Sequence, residues 1–132
     1  MYYNLFLDDE RSPLQVTWIN LPPCEWIVIR NYEEFVKCIT NRGIPVRVSF
    51  DHDLAIEHYP IFEVDCVKNS TTIPYESYSE KTGYHCAKWL VEYCLANKVP
   101  LPECFIHTMN PIGRSNIDSV LKSFQSYTTK YE

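Results

Sequence analysis

The segment Leu5-Phe6-Leu7-Asp8-Asp9-Glu10-Arg11 gives the first indication of the fold class, because an apolar strand ends there in a run of charged side chains. Three more apolar segments of strand length follow, at 25–30, 46–50 and 104–108. Helix-like segments separate several of these strands. Strands that alternate with helices favour parallel sheets joined by right-handed crossovers. The sequence therefore predicts an α/β fold, a three-layer sandwich around a parallel sheet.

The first helix has local signals at both ends. Asn31 is a candidate N-cap, and Glu34 stands three residues later, as in a capping box. Apolar residues then recur at helical spacing from Tyr32 to Ile39. Gly43 supplies the left-handed stop that ends many helices.

The second half of the chain is predicted to hold two more helices. One covers roughly residues 80–97, and the last opens at Ser115, with Asp118 three residues on. A long loop over about residues 55–78 precedes them, and loops of this length inside a compact domain are often functional lids. The sequence has no internal repeat or low-complexity linker, so we expect a single domain over residues 1–132.

Composition argues against several classes of function. The formal net charge of −5 disfavours non-specific DNA binding through a basic field. The 3 glycines lie far apart, which excludes a glycine-rich phosphate loop. No apolar run is long enough to span a membrane and the N-terminus lacks a basic start, so we expect a cytoplasmic protein with no membrane partner. The 6 cysteines show no metal-binding spacing and are expected to be reduced core residues.

Polar side chains follow all four predicted strands. They form the clusters Asp8–Arg11, Arg30, Asp51–Asp53 and His107–Asn110. In an open parallel sheet, ligands bind beyond the carboxyl ends of the strands. The sequence therefore predicts a single site at this edge of the sheet.

Carboxylates dominate this predicted site. The candidate metal ligands are Asp8, Asp9, Asp51 and Asp53. Carboxylates brought within a few ångströms of one another cannot all stay ionised unless a cation neutralises them. Oxygen ligands suit Mg²⁺, Mn²⁺ or Ca²⁺, of which Mg²⁺ or Mn²⁺ is the expected cofactor. The alternative is that Asp8 or Asp9 caps the following turn and that Asp53 accepts backbone N–H bonds.

Histidines and arginines add groups that could act on a phosphate. His52 and His107 are the candidate acid and base, because histidine exchanges protons near neutral pH. Either could instead be a buried hydrogen-bonding residue. Arg11, Arg30 and Arg114 are candidate anion clamps, since guanidinium groups match phosphate oxygens. Residues 110–116 also lead into a helix N-terminus, whose N–H groups favour anions.

Five segments, in order along the chain, carry a family resemblance. They are Leu5–Pro13, Arg30–Glu34, Ser49–Leu54, Glu80–Leu90 and His107–Gly113. With these segments the chain resembles the cyclic-phosphate processing receiver-like domains, relatives of the response-regulator receivers. The resemblance implies a flavodoxin-type sheet. The few residues after Phe124 cannot form both the fifth strand and the fifth helix of a full receiver, so we expect a shortened version of that fold. It also implies the processing of cyclic phosphates rather than phosphorelay signalling.

The resemblance also assigns residues. It implies that Asp8, Asp9 and Asp51 are the metal and acceptor aspartates of a receiver. It implies that the family's additional polar set is His52, Asp53, His107 and Asn110. Two positions depart from the family pattern: His85 stands where the family has Asp, and Thr108 where it has Ser.

The favoured hypothesis is a metal-dependent phosphoesterase that acts on the cyclic phosphate of a small nucleotide or of an RNA end. Its catalytic residues would be His52, His107 and Asp51. Its substrate-binding residues would be Arg11, Arg30, Thr108, Asn110 and Arg114.

Two alternatives belong to other classes of function. One is a non-catalytic sponge or sensor for a cyclic nucleotide, with a base-stacking lid made by Tyr59, Tyr75 and Tyr78 of the long loop. The other is a receiver-like protein-interaction domain that accepts a phosphate on Asp51.

Overall fold

Four short strands form one parallel sheet in the computed structural model, which describes residues 2–55, 58 and 73–131. The strands are β1 (Asn4–Leu7), β2 (Ile27–Ile29), β3 (Arg47–Phe50) and β4 (Glu103–Ile106). Their order is β2-β1-β3-β4, and every neighbouring pair is parallel. The predicted receiver-like α/β fold is confirmed.

The described residues form three α-helices beside the sheet: α1 (Tyr32–Arg42), α2 (Gly83–Asn97) and α3 (Pro111–Tyr131). The predicted ends of α1 are confirmed, because the Asn31 side chain accepts a hydrogen bond from the N–H of Glu34 and Gly43 adopts a φ of 90°. Short 3-10 helices lie at Pro13–Gln15 and Tyr75–Ser77.

The predicted starts of the other two helices are wrong. Helix α2 begins at Gly83 rather than near residue 80, with Thr82 as its N-cap. Helix α3 begins one turn before Ser115, because the Asn110 side chain already accepts a hydrogen bond from the N–H of Gly113 at 3.0 Å. A cap of this kind satisfies an N–H that would otherwise lack a partner in the first turn.

All three helices pack on one face of the sheet. Alternate strand residues point to the same face, and the core strand residues Leu5, Leu7, Val48 and Phe50 follow this pattern. They form one cluster with Phe35 and Ile39 of α1, with Leu90 of α2 and with Ile117 of α3. Burying an apolar side chain of this size stabilises the folded state by about 1.5–3 kcal/mol. Most of the buried apolar residues belong to this cluster, so this face of the sheet supplies most of the core.

The opposite face is covered by the irregular segment between β1 and β2. Phe6, on this face, is fully buried and meets the Trp26 ring edge-on at 6.3 Å. Trp18 of the same segment donates its indole N–H to the His107 carbonyl at 2.7 Å. The third layer of the sandwich is therefore an irregular segment rather than a helix. Through Trp18 this segment contacts the residue that follows the carboxyl end of β4.

Some sequence predictions lie partly outside the described residues. Cys66, Tyr59 and most of the predicted long loop belong to this group. Among the described cysteines, Cys86 and Cys94 are buried in the core cluster as predicted, and all five are free thiols. Within the described part of the chain, no helix is both long enough and apolar enough to cross a membrane.

Candidate functional site

The register of the sheet aligns three candidate residues. Leu7, Phe50 and Ile106 form a row across β1, β3 and β4. One residue later, the N–H of Asp51 donates to the Leu7 carbonyl and the N–H of His107 donates to the Phe50 carbonyl, both at 2.9 Å. The ladder therefore continues past the strand ends and places Asp8, Asp51 and His107 side by side.

These three residues form what we call the acidic pocket. One ligand atom from each of Asp8, Asp51 and His107 lies within 4.8 Å of the others. All three side chains are buried, and His107 Nε2 lies 3.0 Å from Asp8 Oδ2. Two carboxylates and an imidazole are thus held together in a water-poor environment.

Contacts with Phe6, Ser49 and Asp8 hold the His107 ring in one orientation. Phe6 stacks on its ring, with centroids 4.4 Å apart and an interplanar angle of 6°. The Ser49 hydroxyl lies 2.7 Å from Nδ1. The Asp8 carboxylate can only accept, so Nε2 carries the proton and Nδ1 accepts from Ser49 in the neutral ring. Burial lowers the pKa of His107 despite the opposing hydrogen bond and charge of Asp8, which favours this neutral form.

Asp8 stays ionised. Burial raises its pKa, but hydrogen bonds from His107 and from the backbone N–H groups of Arg11 and Glu10 outweigh burial and leave a net lowering. Arg11 Nη1 also lies 3.6 Å from Asp8 Oδ2. The carboxylate is therefore a fixed negative charge at the base of the pocket.

The pKa of Asp51 is shifted in the opposite direction from that of Asp8. Burial and then the negative charge of Asp8 raise the pKa of Asp51 to about 7, although its carboxylate accepts the N–H of His52 at 2.9 Å. A buried carboxylate beside another carboxylate is stabilised in its charged form by a nearby cation. The donor set of the acidic pocket, two carboxylates and one imidazole, could hold a divalent cation.

The other two predicted metal ligands lie outside this group. Asp9 is half-buried and is not among the clustered ligand atoms of the described residues. Asp53 Oδ1 accepts hydrogen bonds from His52 Nδ1 at 2.7 Å and from Asn110 Nδ2 at 3.3 Å. The carboxylate of Asp53 therefore belongs to a different set of contacts.

That second set is a closed hydrogen-bond network of His52, Asp53, Tyr75, Asn110 and Asn116. His52 is fully buried, and Nε2 lies 2.8 Å from the Tyr75 hydroxyl. The Asn116 amide donates to the same hydroxyl at 2.9 Å, so the Tyr75 proton points to His52 Nε2 and the His52 proton lies on Nδ1. Both ring nitrogens of His52 are thus used within the protein.

Two glycines allow the helices to approach this network. A Cβ on Gly113 would lie 2.4 Å from Cγ of His52, and one on Gly83 would lie 1.7 Å from the Asp51 carbonyl oxygen. Gly83 also donates its N–H to the His52 carbonyl at 2.8 Å. The turn that follows β3 is therefore clamped between the first turns of α2 and α3.

The predicted anion-binding residues are spread over several environments. Arg11 is partly exposed beside the acidic pocket, with its guanidinium 5.1 Å from the centre of the Trp18 ring. Arg30 Nη1 donates to the carbonyl oxygens of Asp8 and Arg11 at 3.0 and 2.9 Å, so it holds the loop after β1. Thr108 is buried and accepts the N–H of Asn110 at 3.2 Å. Arg114 lines a separate cleft beside β4.

The two remaining histidines support local structure. His85 Nδ1 accepts the N–H of Thr82 at 2.9 Å in the first turn of α2, and burial lowers the pKa of His85 to about 4. A neutral imidazole thereby performs the acceptor role that an aspartate would perform at the same helix position. His58 accepts the N–H of Leu54 and lies 2.7 Å from the Glu80 carbonyl.

Three residues that contact His107 or His52 were missed from the sequence or were given another role. Ser49 was signalled by a polar residue inside a buried strand, whereas Trp18 gave no local signal. Tyr75 was predicted only as a stacking lid, but its hydroxyl contacts His52.

The parallel sheet with a charged carboxyl-end pocket defines a receiver-like α/β domain. Comparison with known families gives a more specific result: the model of the cyclic-phosphate processing receiver domain matches residues 3–123. The chain therefore belongs to that family. No curated protein and no solved structure matches it.

Proposed function

We propose that this domain is a metal-dependent phosphoesterase that opens a cyclic phosphate of a nucleotide or of an RNA end. The observation that carries the proposal is the crowding of Asp8 and Asp51 beside His107 at the carboxyl edge of the sheet. Membership in a family named for cyclic-phosphate processing supports the substrate class. Arg11, partly exposed beside Asp8, is the candidate anion-binding group.

Each residue in or beside the pocket would have a separate role in the reaction. Asp8 and Asp51 would hold a divalent cation, which neutralises their charge, polarises a phosphoryl oxygen and lowers the pKa of a bound water. Arg11 would offset charge that develops on the phosphate oxygens. Water would add to phosphorus as one ring P–O bond breaks, and His107 would take up the proton that the water loses and pass it to the released ester oxygen.

His52 has a different role in this proposal from the one first predicted. Its ring is fully buried, and both nitrogens bond to Asp53 and Tyr75. We therefore assign it as a positioning residue that holds the turn after β3, which carries Asp51.

The non-catalytic alternative has one supporting observation. Both ring nitrogens of His107 are also engaged, with Ser49 and Asp8. A pocket whose one histidine has both ring nitrogens paired favours binding of a cyclic nucleotide without turnover, unless ligand entry frees Nε2.

The test is an activity screen with a panel of 2′,3′- and 3′,5′-cyclic nucleotides and Mg²⁺ or Mn²⁺, followed by ³¹P NMR. We expect ring opening that EDTA abolishes, and a loss of about 100-fold or more in kcat for Asp51→Asn and for His107→Ala. Glu103→Gln is the matched control, because this exposed carboxylate pairs with Arg47 on β3.

Two results would contradict catalysis. Tight binding with the ligand recovered intact would support the sponge or sensor instead. Turnover that persists in EDTA, or in Asp51→Asn, would show that the reaction does not require a metal ion.

A further inference from the structure

A second concave feature lies beside the outer edge of β4. It is a cleft of about 500 Å³ between this edge strand, α3 and the irregular segment between β1 and β2. Its apolar wall includes Ile19, Phe105 and Ile106, and its polar wall includes Arg114, Ser115 and Asp118. Small-molecule sites commonly have roughly 300–1,000 Å³ and combine an apolar lining with a few polar groups.

The cleft adjoins the acidic pocket through covalent and hydrogen-bonded neighbours. Ile106 immediately precedes His107, and Ile19 immediately follows Trp18. Trp18 in turn donates its indole N–H to the His107 carbonyl at 2.7 Å. The cleft therefore lies next to the segment of chain that carries His107 into the acidic pocket.

The lining chemistry suits a nucleobase. Phe105 and the isoleucines supply apolar surface for a flat ring, and Arg114 offers hydrogen-bond donors for its polar edge. Asp118 offers acceptor oxygens, one of which also pairs with Lys122 at 2.8 Å on the same helix. Arg114 and Asp118 lie four residues apart on α3 and so share one helix face.

We infer that this cleft binds the nucleoside part of a cyclic-phosphate ligand and so makes the domain selective for nucleotides over base-free cyclic phosphates. The inference rests on the proposed function for the position of the phosphate. The binding of a nucleoside alone can nevertheless be measured without any turnover.

The decisive variant is Ser115→Trp. Ser115 is an exposed residue of α3 that lines the cleft, so an indole there fills the cleft without removing a core contact. The matched control is Ser119→Trp, which adds the same side chain to an exposed position of α3 that does not line the cleft. Thermal unfolding should show both variants folded.

The measurement is isothermal titration with the four nucleosides, the matching cyclic nucleotides and a base-free ribose cyclic phosphate. We expect Ser115→Trp to weaken binding of nucleosides and cyclic nucleotides by about tenfold or more, roughly the loss of one good contact. Ser119→Trp should bind as the unmodified protein does. Arg114→Ala should weaken nucleoside binding in the same direction.

The outcomes separate this inference from the proposed function. Equal affinity for base-free and base-containing ligands, with no effect of Ser115→Trp, would overturn the cleft assignment even if turnover is observed. Nucleoside binding that Ser115→Trp abolishes, in a protein without turnover, would support the cleft and contradict the phosphoesterase. Self-association that Ser115→Trp breaks, without nucleoside binding, would instead assign the β4 edge to a second protein chain.

Discussion

The acidic pocket and the hydrogen-bond network around His52 contain the same pair of residue types but differ in their charge balance. Each contains a histidine paired with an aspartate at about 3 Å, at the same edge of the sheet. In the acidic pocket a second carboxylate, Asp51, crowds Asp8, and the pKa of Asp51 rises to about 7. In the network Asp53 receives donors from His52 and Asn110 instead.

The difference lies in charge balance rather than in hydrogen bonding. Across the described residues, no buried side-chain nitrogen or oxygen lacks a hydrogen-bond partner. A pocket with excess negative charge gains stability from a bound cation, whereas a closed network gains nothing from a ligand. The comparison therefore separates a candidate binding site from its scaffold.

The largest expected effect is the pH dependence of stability from Asp51. Its folded-state pKa of about 7 lies above the ordinary value of 3.8, so the native protein holds this proton between about pH 4 and 7 while the unfolded chain has lost it. Stability therefore falls as pH rises through this window, by up to about 1.4 kcal/mol per pH unit. Asp51→Asn should remove the fall, as measured by urea unfolding in EDTA at several pH values.

The matched change in the network is Asp53→Ala. It leaves His52 Nδ1 without its acceptor, so we expect a loss of about 1–3 kcal/mol in the free energy of unfolding. Most of the pH-dependent fall should remain, because burial and Asp8 raise the pKa of Asp51 more than the charge of Asp53 does. If both variants flatten the pH profile equally, the electrostatic distinction between the two regions is wrong. Added Mn²⁺ should stabilise Asp53→Ala and not Asp51→Asn.

The next effect concerns the clamp around the turn after β3. Gly83→Ala places a Cβ against the Asp51 backbone carbonyl, which cannot rotate away as a side chain can. We expect a loss of about 3 kcal/mol in the free energy of unfolding, near the upper part of the usual range for overpacking. Chemical denaturation measures this loss.

Gly43→Ala serves as the comparison for this clamp. Nothing lies within 4 Å of an added Cβ there, but φ is +90°. Its cost of about 1–2 kcal/mol would come from backbone strain alone. An equal loss in the two alanine variants would show that the close approach of α2 to Asp51 is not a significant constraint.

The smallest expected effect tests which nitrogen of His52 carries the proton. Tyr75→Phe removes the hydroxyl that donates to His52 Nε2, so we expect a loss of about 1–2 kcal/mol and a changed imidazole ¹⁵N shift for His52. Tyr84→Phe is the control, because the Tyr84 ring stacks on Tyr75 at 4.5 Å and the His52 bond stays intact. Unchanged His52 shifts in Tyr75→Phe would contradict the assigned tautomer.

Local interactions explain what could be predicted from the sequence. The cap at Asn31 and the stop at Gly43 depend on residues a few positions apart, so their pattern is visible in the chain. The start of α3 was misplaced because two nearby residues, Asn110 and Ser115, can both act as caps. The apolar strands ending in polar clusters were sufficient to predict a parallel sheet with a site at its carboxyl edge.

The α/β class, the polar residues at the strand ends and the resemblance to a receiver-like family could all be inferred from the amino-acid sequence. Which of those residues meet could not be inferred, because it depends on strand order and register between segments up to about a hundred positions apart. A shift of one residue along a strand moves a side chain to the other face of the sheet. Asp51 therefore joins Asp8 and His107, while His52, its immediate neighbour, lies buried among Gly113, Asp53 and Tyr75.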